Sequence, residues 1–539
     1  MTVIASNPIM PGFYPDPSIC AVGGDYYLIN STFAYFPGLP IMHSKDLVHW
    51  EQVGNAMERA SQLPLGNCGH SQGLFAPTIR YHKGMFYVIC TNVSHGGNYI
   101  VTAEKPEGPW SEPYYLEGAQ GIDPSLFFDE DDRCYYIGTR PCQTGVKYNG
   151  DWYIWIQELD LETMKLIGEP KDVWNGAMKN ICWPEGPHLY KKNGYYYIMH
   201  AEGGTGPEHA VCVCRSKEIW GPYENCFCNP ILTHRHMGWN YPIRYVGHAD
   251  MIETPNGEWY MVMLAVRPLE GYTTMGRETF LAKVVWENDW PVVNPGKGRL
   301  TEQVIIDLPE WDPAEDKHSF TNKLGKSTCV PGSSREYDFE LMDQLGDEFL
   351  MIRNPKDGMF DLQKKEGLYL TFGKDNLKVQ GSPSYLGVRQ QHHFFMARTT
   401  LDASGCVGQK KAGLALIQNN EYHLRLEVCD GTVYAIMCKQ GKDDILGTAK
   451  VVENDVTIFM AVSGLAASLG IAVGKDELLI TKDIDIRSLS TEVAGGFVGC
   501  TVGMYAVDES THGCEKKDSE EDVTVLDAVC FRSFSYESM

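Results

Sequence analysis

One local pattern comes back five times before residue 270. A short strand pattern runs into a glycine or acidic turn and returns through an aromatic-rich apolar run. The pairs are "DPSICAV" with "GGDYYLINSTF", "APTIRYH" with "KGMFYVICTNV", "DPSLFFDE" with "DDRCYYIGTR", "EGPHLYKK" with "NGYYYIMHAEGG", and "GHADMIETP" with "NGEWYMVMLAVRP". β-Branched and aromatic residues dominate, and helix signals are few. The units begin at Asp16, Ala76, Asp123, Glu185 and His248, at intervals of 60, 47, 62 and 63 residues. Several end in related polar tails, such as "SKDLVHWEQVG" and "RSKEIWGPYEN". A repeat of that length, strand–turn–strand plus an outer part, fits a four-stranded propeller blade. Five of them predict a five-bladed β-propeller.

Propeller geometry turns the repeat into a statement about chemistry. The innermost strands line the axis, so equivalent positions at their starts face one another in an axial cup. This chain places Asp, Ala, Asp, Glu and His there. Most of its 70 acids must be solvated surface residues, and acids before Pro or Gly also cap turns. Asp16, Asp123 and Glu185 differ in sharing one phase of the repeat. Converging carboxylates raise one another's pKa, and burial adds to that. One of the three should therefore stay protonated beside an ionised partner, the pairing that glycoside hydrolysis needs. Pro15 and Pro17 flank Asp16 and restrict its backbone.

After the repeats the periodicity changes. Residues 1–312 read as the propeller, 313–335 as a polar linker rich in turn formers, and 336–539 as an antiparallel β-sandwich. Runs such as "FFMARTTL", "EYHLRLEV" and "TVYAIMC" supply its strands. "RQQHHFF" stands out there. Adjacent histidines on a strand would point to opposite faces, so His392 and His393 read as polar packing at the domain interface. "CVC" and "CFC" place thiols at i, i+2 on one strand face, which reads as apolar packing rather than zinc ligation. The 17 cysteines, scattered through apolar runs, suggest a reduced, cytoplasmic protein. The net charge of -24 argues against nucleic acid and anionic membrane partners. No apolar run is long enough to span a membrane, and no signal-peptide pattern is visible.

"FYPDPS", "GIDPSLF", "WPEGPHLY", "GHAD" and "MGRETF" together resemble glycoside hydrolase family 43. The similarity covers the whole chain. It is nearest the two-domain β-xylosidase and α-L-arabinofuranosidase branch, a propeller followed by a concanavalin-like sandwich. The resemblance implies inverting hydrolysis, with Asp16 as general base, Glu185 as general acid and Asp123 tuning and orienting that acid. It implies that Arg277 reaches the sugar subsite, against the alternative of a structural pair with an acid. It also implies that His248 contacts either a water or a largely hydrated calcium ion on the axis. Phe33, Phe75 and Trp183 flank the cup and suit the apolar faces of a sugar. Related xylosidases often carry Trp where this chain has Phe75, which tilts the expected sugar towards arabinofuranose. The expected substrates are arabinoxylan-derived oligosaccharides, with release of a terminal α-L-arabinofuranosyl or β-D-xylosyl unit. Mainly β-1,4-xylosidase action, a retaining invertase-type enzyme and a non-catalytic carbohydrate-binding propeller are the alternatives. Assembly into a homo-oligomer is left open.

Overall fold

A computed structural model describes residues 2–320, 330–363, 365–474, 476–510 and 527–539. Residues 321–329 of the expected linker lie outside the described residues. The fold is all-β. Five sheets follow one another along the chain, from Ser18–Val22 to Trp290–Val293, four strands in each and a short fifth in one. Their innermost strands are Ser18–Val22, Thr78–His82, Ile122–Phe128, Glu185–Lys192 and Arg244–Glu253, and they touch in cyclic order, the last closing on the first. This is the five-bladed ring that the repeat predicts. Val3–Ser6 pairs antiparallel with Gln303–Ile306, and Asn7 bonds both ways with the Leu281 backbone at 2.8 Å. The start of the chain thereby fastens the last blade.

The second half forms a six-stranded sheet packed on an eight-stranded one. It is docked on the first blade rather than tethered to it. Tyr35–Phe36 pairs with Met351–Ile352, and apolar residues of the first two blades share a continuous core with the sandwich. The guanidinium of Arg389 donates to the Phe13 carbonyl at 2.8 Å and lies over the Tyr14 ring. Part of the expected linker is also packed: Lys45 pairs with Asp316 at 2.7 Å, and the Phe320 amide donates to Glu51.

One local reading needs correction. His392 and His393 lie between the strands Ser384–Arg389 and Phe394–Asp402, not on a strand. They do face the interface: both sense the charges of Arg267 and Glu278 on the last blade, while His392 also approaches the Tyr536 hydroxyl within the sandwich. Asp16, whose backbone Pro15 and Pro17 restrict, takes a left-handed conformation with a φ of 51°. The described cysteines are all free, and most are buried. Among the described residues no helix is long and apolar enough to cross a membrane.

Candidate active site

Residues at or near the starts of the inner strands converge on one cavity of about 350 Å3. Asp16, Asp123, Glu185, His248, Arg277, Phe33, Phe75 and Trp183 all line it, so the residues proposed from the sequence for catalysis, sugar binding and the axial ion meet there. The backbone is bent to achieve this. Asp123 and His248 share the left-handed form of Asp16, with φ of 53° and 49°. Register shifts follow Ile122, Glu185 and Arg244 at the heads of three inner strands. Such bulges turn a side chain out of the strand's alternation and aim it elsewhere. Phe33 and Trp183 also have positive φ, 51° and 48°, a costly conformation for large side chains that tends to mark functional positions.

The three carboxyls have different surroundings. Asp16 is 4% exposed. It accepts from the Ser31 hydroxyl at 2.7 Å and from Arg277 at 2.6 Å, and His248 Nδ1 lies 3.9 Å away. Burial alone would raise its pKa, but Arg277, His248 and Ser31 outweigh burial and hold the carboxyl below its ordinary value. Asp123 accepts a 3.1 Å hydrogen bond from the Gly186 amide. Burial pushes it up to about 6, with His248 opposing and the Asp16 charge adding. Among the described residues Glu185 has no ion-pair partner. Burial, then the charges of Asp123 and Asp16, push it well above the carboxylate range. These surroundings favour the ionised form of Asp16 and the protonated form of Glu185, on different blades. Such a separation of pKa values is how one environment can supply both a base and an acid.

Arg277 precedes the strand Glu278–Glu287. Its pairing with Asp16 and its place in the cavity combine the two readings offered for it. Glu278 points away and takes Arg267 at 2.8 Å. Four contributors were not found from the sequence. Trp152 and Thr205 line the wall, and Phe497 enters from the sandwich. Phe497 packs near Phe33 and Phe75, with ring centroids 6.0 and 6.1 Å away. Its amide donates to the Ser71 hydroxyl at 2.8 Å, and its carbonyl accepts from Arg277 at 3.4 Å. The fourth is His209. Its Nδ1–H donates to the Tyr245 carbonyl at 2.9 Å, and burial lowers its pKa to about 3. It is neutral, with Nε2 left as an acceptor. His209 Nε2, Thr205 Oγ and Arg277 Nε are buried without hydrogen-bond partners among the described residues. Unmatched buried polar atoms in a cavity wall are what a hydroxylated ligand would satisfy.

Residues 5–291 match the family model of the glycosyl hydrolases family 43. The chain belongs to glycoside hydrolase family 43. Residues 336–517 match the β-xylosidase C-terminal concanavalin A-like domain. A xylosidase/arabinosidase of Butyrivibrio fibrisolvens is 49% identical over 94% of this chain and 96% of its own length. A non-reducing end α-L-arabinofuranosidase of Bacteroides ovatus is 37% identical, with 93% and 90% covered. The solved structure of a xylan β-1,4-xylosidase from Bacillus halodurans C-125 superimposes with a TM-score of 0.86 at 33% identity, covering 99% of this chain and 100% of that one. The chain is therefore a family 43 glycoside hydrolase with the two-domain architecture.

Proposed function

We propose that this hydrolase is an inverting exo-pentosidase that releases terminal α-L-arabinofuranosyl and β-D-xylosyl units from short arabinoxylan-derived oligosaccharides. The observation that carries this reading is the split of the cup into a Glu185 acid and an Asp16 base. Glu185 protonates the leaving glycosidic oxygen, and Asp16 takes a proton from the water that attacks the anomeric carbon on the opposite face. Arg277 and Ser31 fix the Asp16 carboxylate, so water orientation is prepared before substrate arrives. Asp123 keeps Glu185 protonated by its charge and holds the Gly186 backbone beside it. Phe33, Phe75, Trp183 and Phe497 exclude water and offer faces to the sugar. With the sandwich closing one side, the cavity suits a chain end rather than the middle of a polymer.

The dual sugar range is supported by the combined name of the Butyrivibrio relative and by the separate names of the other two. The buried free thiols support a reducing, cytoplasmic setting, where short imported oligosaccharides would be met. Initial rates on paired 4-nitrophenyl α-L-arabinofuranoside and β-D-xyloside test the assignment. Turnover of both is expected; no turnover of either would refute it. Asp16→Ala should abolish turnover while ligand affinity by calorimetry stays within about threefold. A non-catalytic binding propeller would show no such loss.

A further inference from the structure

Below the cup lies a second axial layer. Strand alternation brings Ser18, Thr78, Ser125 and Asp250 there, each two residues beyond a cup position. In the fourth blade the bulge after Glu185 puts His188 in that place. The layer stitches the blades together. The Thr78 hydroxyl donates to the Pro124 carbonyl at 2.9 Å, Ser125 to Pro187 at 2.7 Å, and Ser18 to Asp250 at 2.7 Å.

Into this layer reaches a cation, Arg80 of the second blade. It grips Asp250 with two N–H groups at 2.8 and 3.2 Å, and donates to Ser18 at 3.2 Å and to His188 Nδ1 at 2.9 Å. Asp250 is fully buried. It also accepts from the Ile19 amide at 3.1 Å, the Tyr190 hydroxyl at 2.6 Å and the Met251 amide at 2.9 Å. One guanidinium–carboxylate pair thus joins the first, second, fourth and fifth blades at the axis.

This bears on the hydrated calcium expected beside His248. Calcium is held by oxygen donors, carboxylates above all. The second layer has one carboxylate, and both its oxygens are engaged. His188 Nδ1 is taken as well, and Asp16 in the cup is paired with Arg277 and Ser31. A divalent ion there would also face the fixed positive charge of Arg80. In the cup itself, no group of three metal-capable side chains among the described residues includes His248, so the residues do not fit the metal.

We propose that the Arg80 guanidinium is the resident axial cation of this propeller, and that turnover is therefore independent of divalent metal. Arg80 touches no substrate; it is a positioning residue. It holds His188 and Asp250, and through their strands Glu185 and His248, at the heights the cup requires. The inference rests on the hydrolase reading, but metal content reports on it even if neither pentoside is turned over.

The full-length enzyme is dialysed exhaustively against EDTA. Bound metal is measured by mass spectrometry, and kcat and KM are measured with and without added CaCl2. The expected result is no stoichiometric ion and kinetic constants unchanged within about twofold. A stoichiometric calcium ion, or a loss of activity that calcium restores, would overturn the proposal. In Arg80→Ser, kcat should fall about tenfold or more with KM little changed, the scale seen when a supporting residue behind a site is removed. Added guanidinium should restore part of that loss, and Arg80→Lys should retain more activity than Arg80→Ser. An Arg80→Ser enzyme with full kcat would remove the positioning role. If Arg80→Ser does not fold, Arg80→Lys and the chelation of the native enzyme still decide the question.

Discussion

At the level of single residues, the proposed mechanism depends on two carboxyls being pushed in opposite directions. Asp16 lies below its ordinary pKa and Glu185 lies well above its own. Activity needs Asp16 ionised and Glu185 protonated, so kcat/KM should be bell-shaped in pH. The acid limb should fall below the usual Asp value and the alkaline limb above the usual Glu value. Asp123→Asn removes a negative charge that raises Glu185, so the alkaline limb should move to lower pH. A pH–rate profile with an unmoved limb would mean that Asp123 does not tune the acid. Glu185→Gln should lower kcat by about a hundredfold or more on poor leaving groups and by less on nitrophenyl substrates, which need little protonation. The cup acids were legible in the sequence because the repeat brings them into phase. His209 and Thr205 were not. They sit in the loop after the "YYYIMHAEGG" strand, outside the repeat-equivalent positions, and their role rests on unmatched polar atoms that only the folded cavity reveals.

At the level of elements, the inner strands do two jobs that conflict with regular pairing. They hold a closed ring, and their first residues must turn into the cup. Bulges and positive φ resolve the conflict, and neither is written in hydrophobic periodicity. Pro17 even argues for an extended Asp16. Gly186 shows how little room is left. Its φ is 55°, and a Cβ there would lie 2.8 Å from the His248 ring. Gly186→Ala should therefore cost about 1–2 kcal/mol from backbone strain alone, and it should lower kcat by displacing His248. Thermal unfolding and kcat, measured on the same sample, check both. The ion pair beneath is a second element-level device. Asp250 is held far below its ordinary value, against burial, by Arg80 and His188. Its stabilisation is fully present above the unfolded carboxylate value and is lost as pH falls through the folded one. Asp250→Asn should destabilise the protein by about 3–5 kcal/mol at neutral pH, with the gap to the native enzyme narrowing in strong acid. The sandwich was the harder part to read. Edge strands such as Lys442–Lys450 and Asp476–Asp485 carry charged and exposed residues with no clean alternation, so only the buried central strands stood out.

At the level of the whole molecule, the sandwich is part of the site. Gly276 and Gly499 are packed so closely that a Cβ on Gly276 would lie 2.7 Å from the Gly499 amide nitrogen. This contact lets Phe497 reach across and close the cavity. Phe497→Ala should raise KM for short oligosaccharides by up to about tenfold, as expected for one aromatic contact, with a smaller effect on kcat. Equal KM values for native and variant enzyme would mean that the sandwich does not shape the subsite. Such a contact could not be read from either half of the sequence alone, because "AGGFVG" carries its meaning only once the two domains are docked. What joins these scales is one claim: Asp16 and Glu185 act on opposite faces of one sugar in a single displacement. Proton NMR of the first-formed product tests it most directly. The account predicts that the sugar is released with its anomeric configuration inverted, β-L-arabinofuranose from an α-L-arabinofuranoside and α-D-xylose from a β-D-xyloside. A first-formed sugar of retained configuration would contradict it.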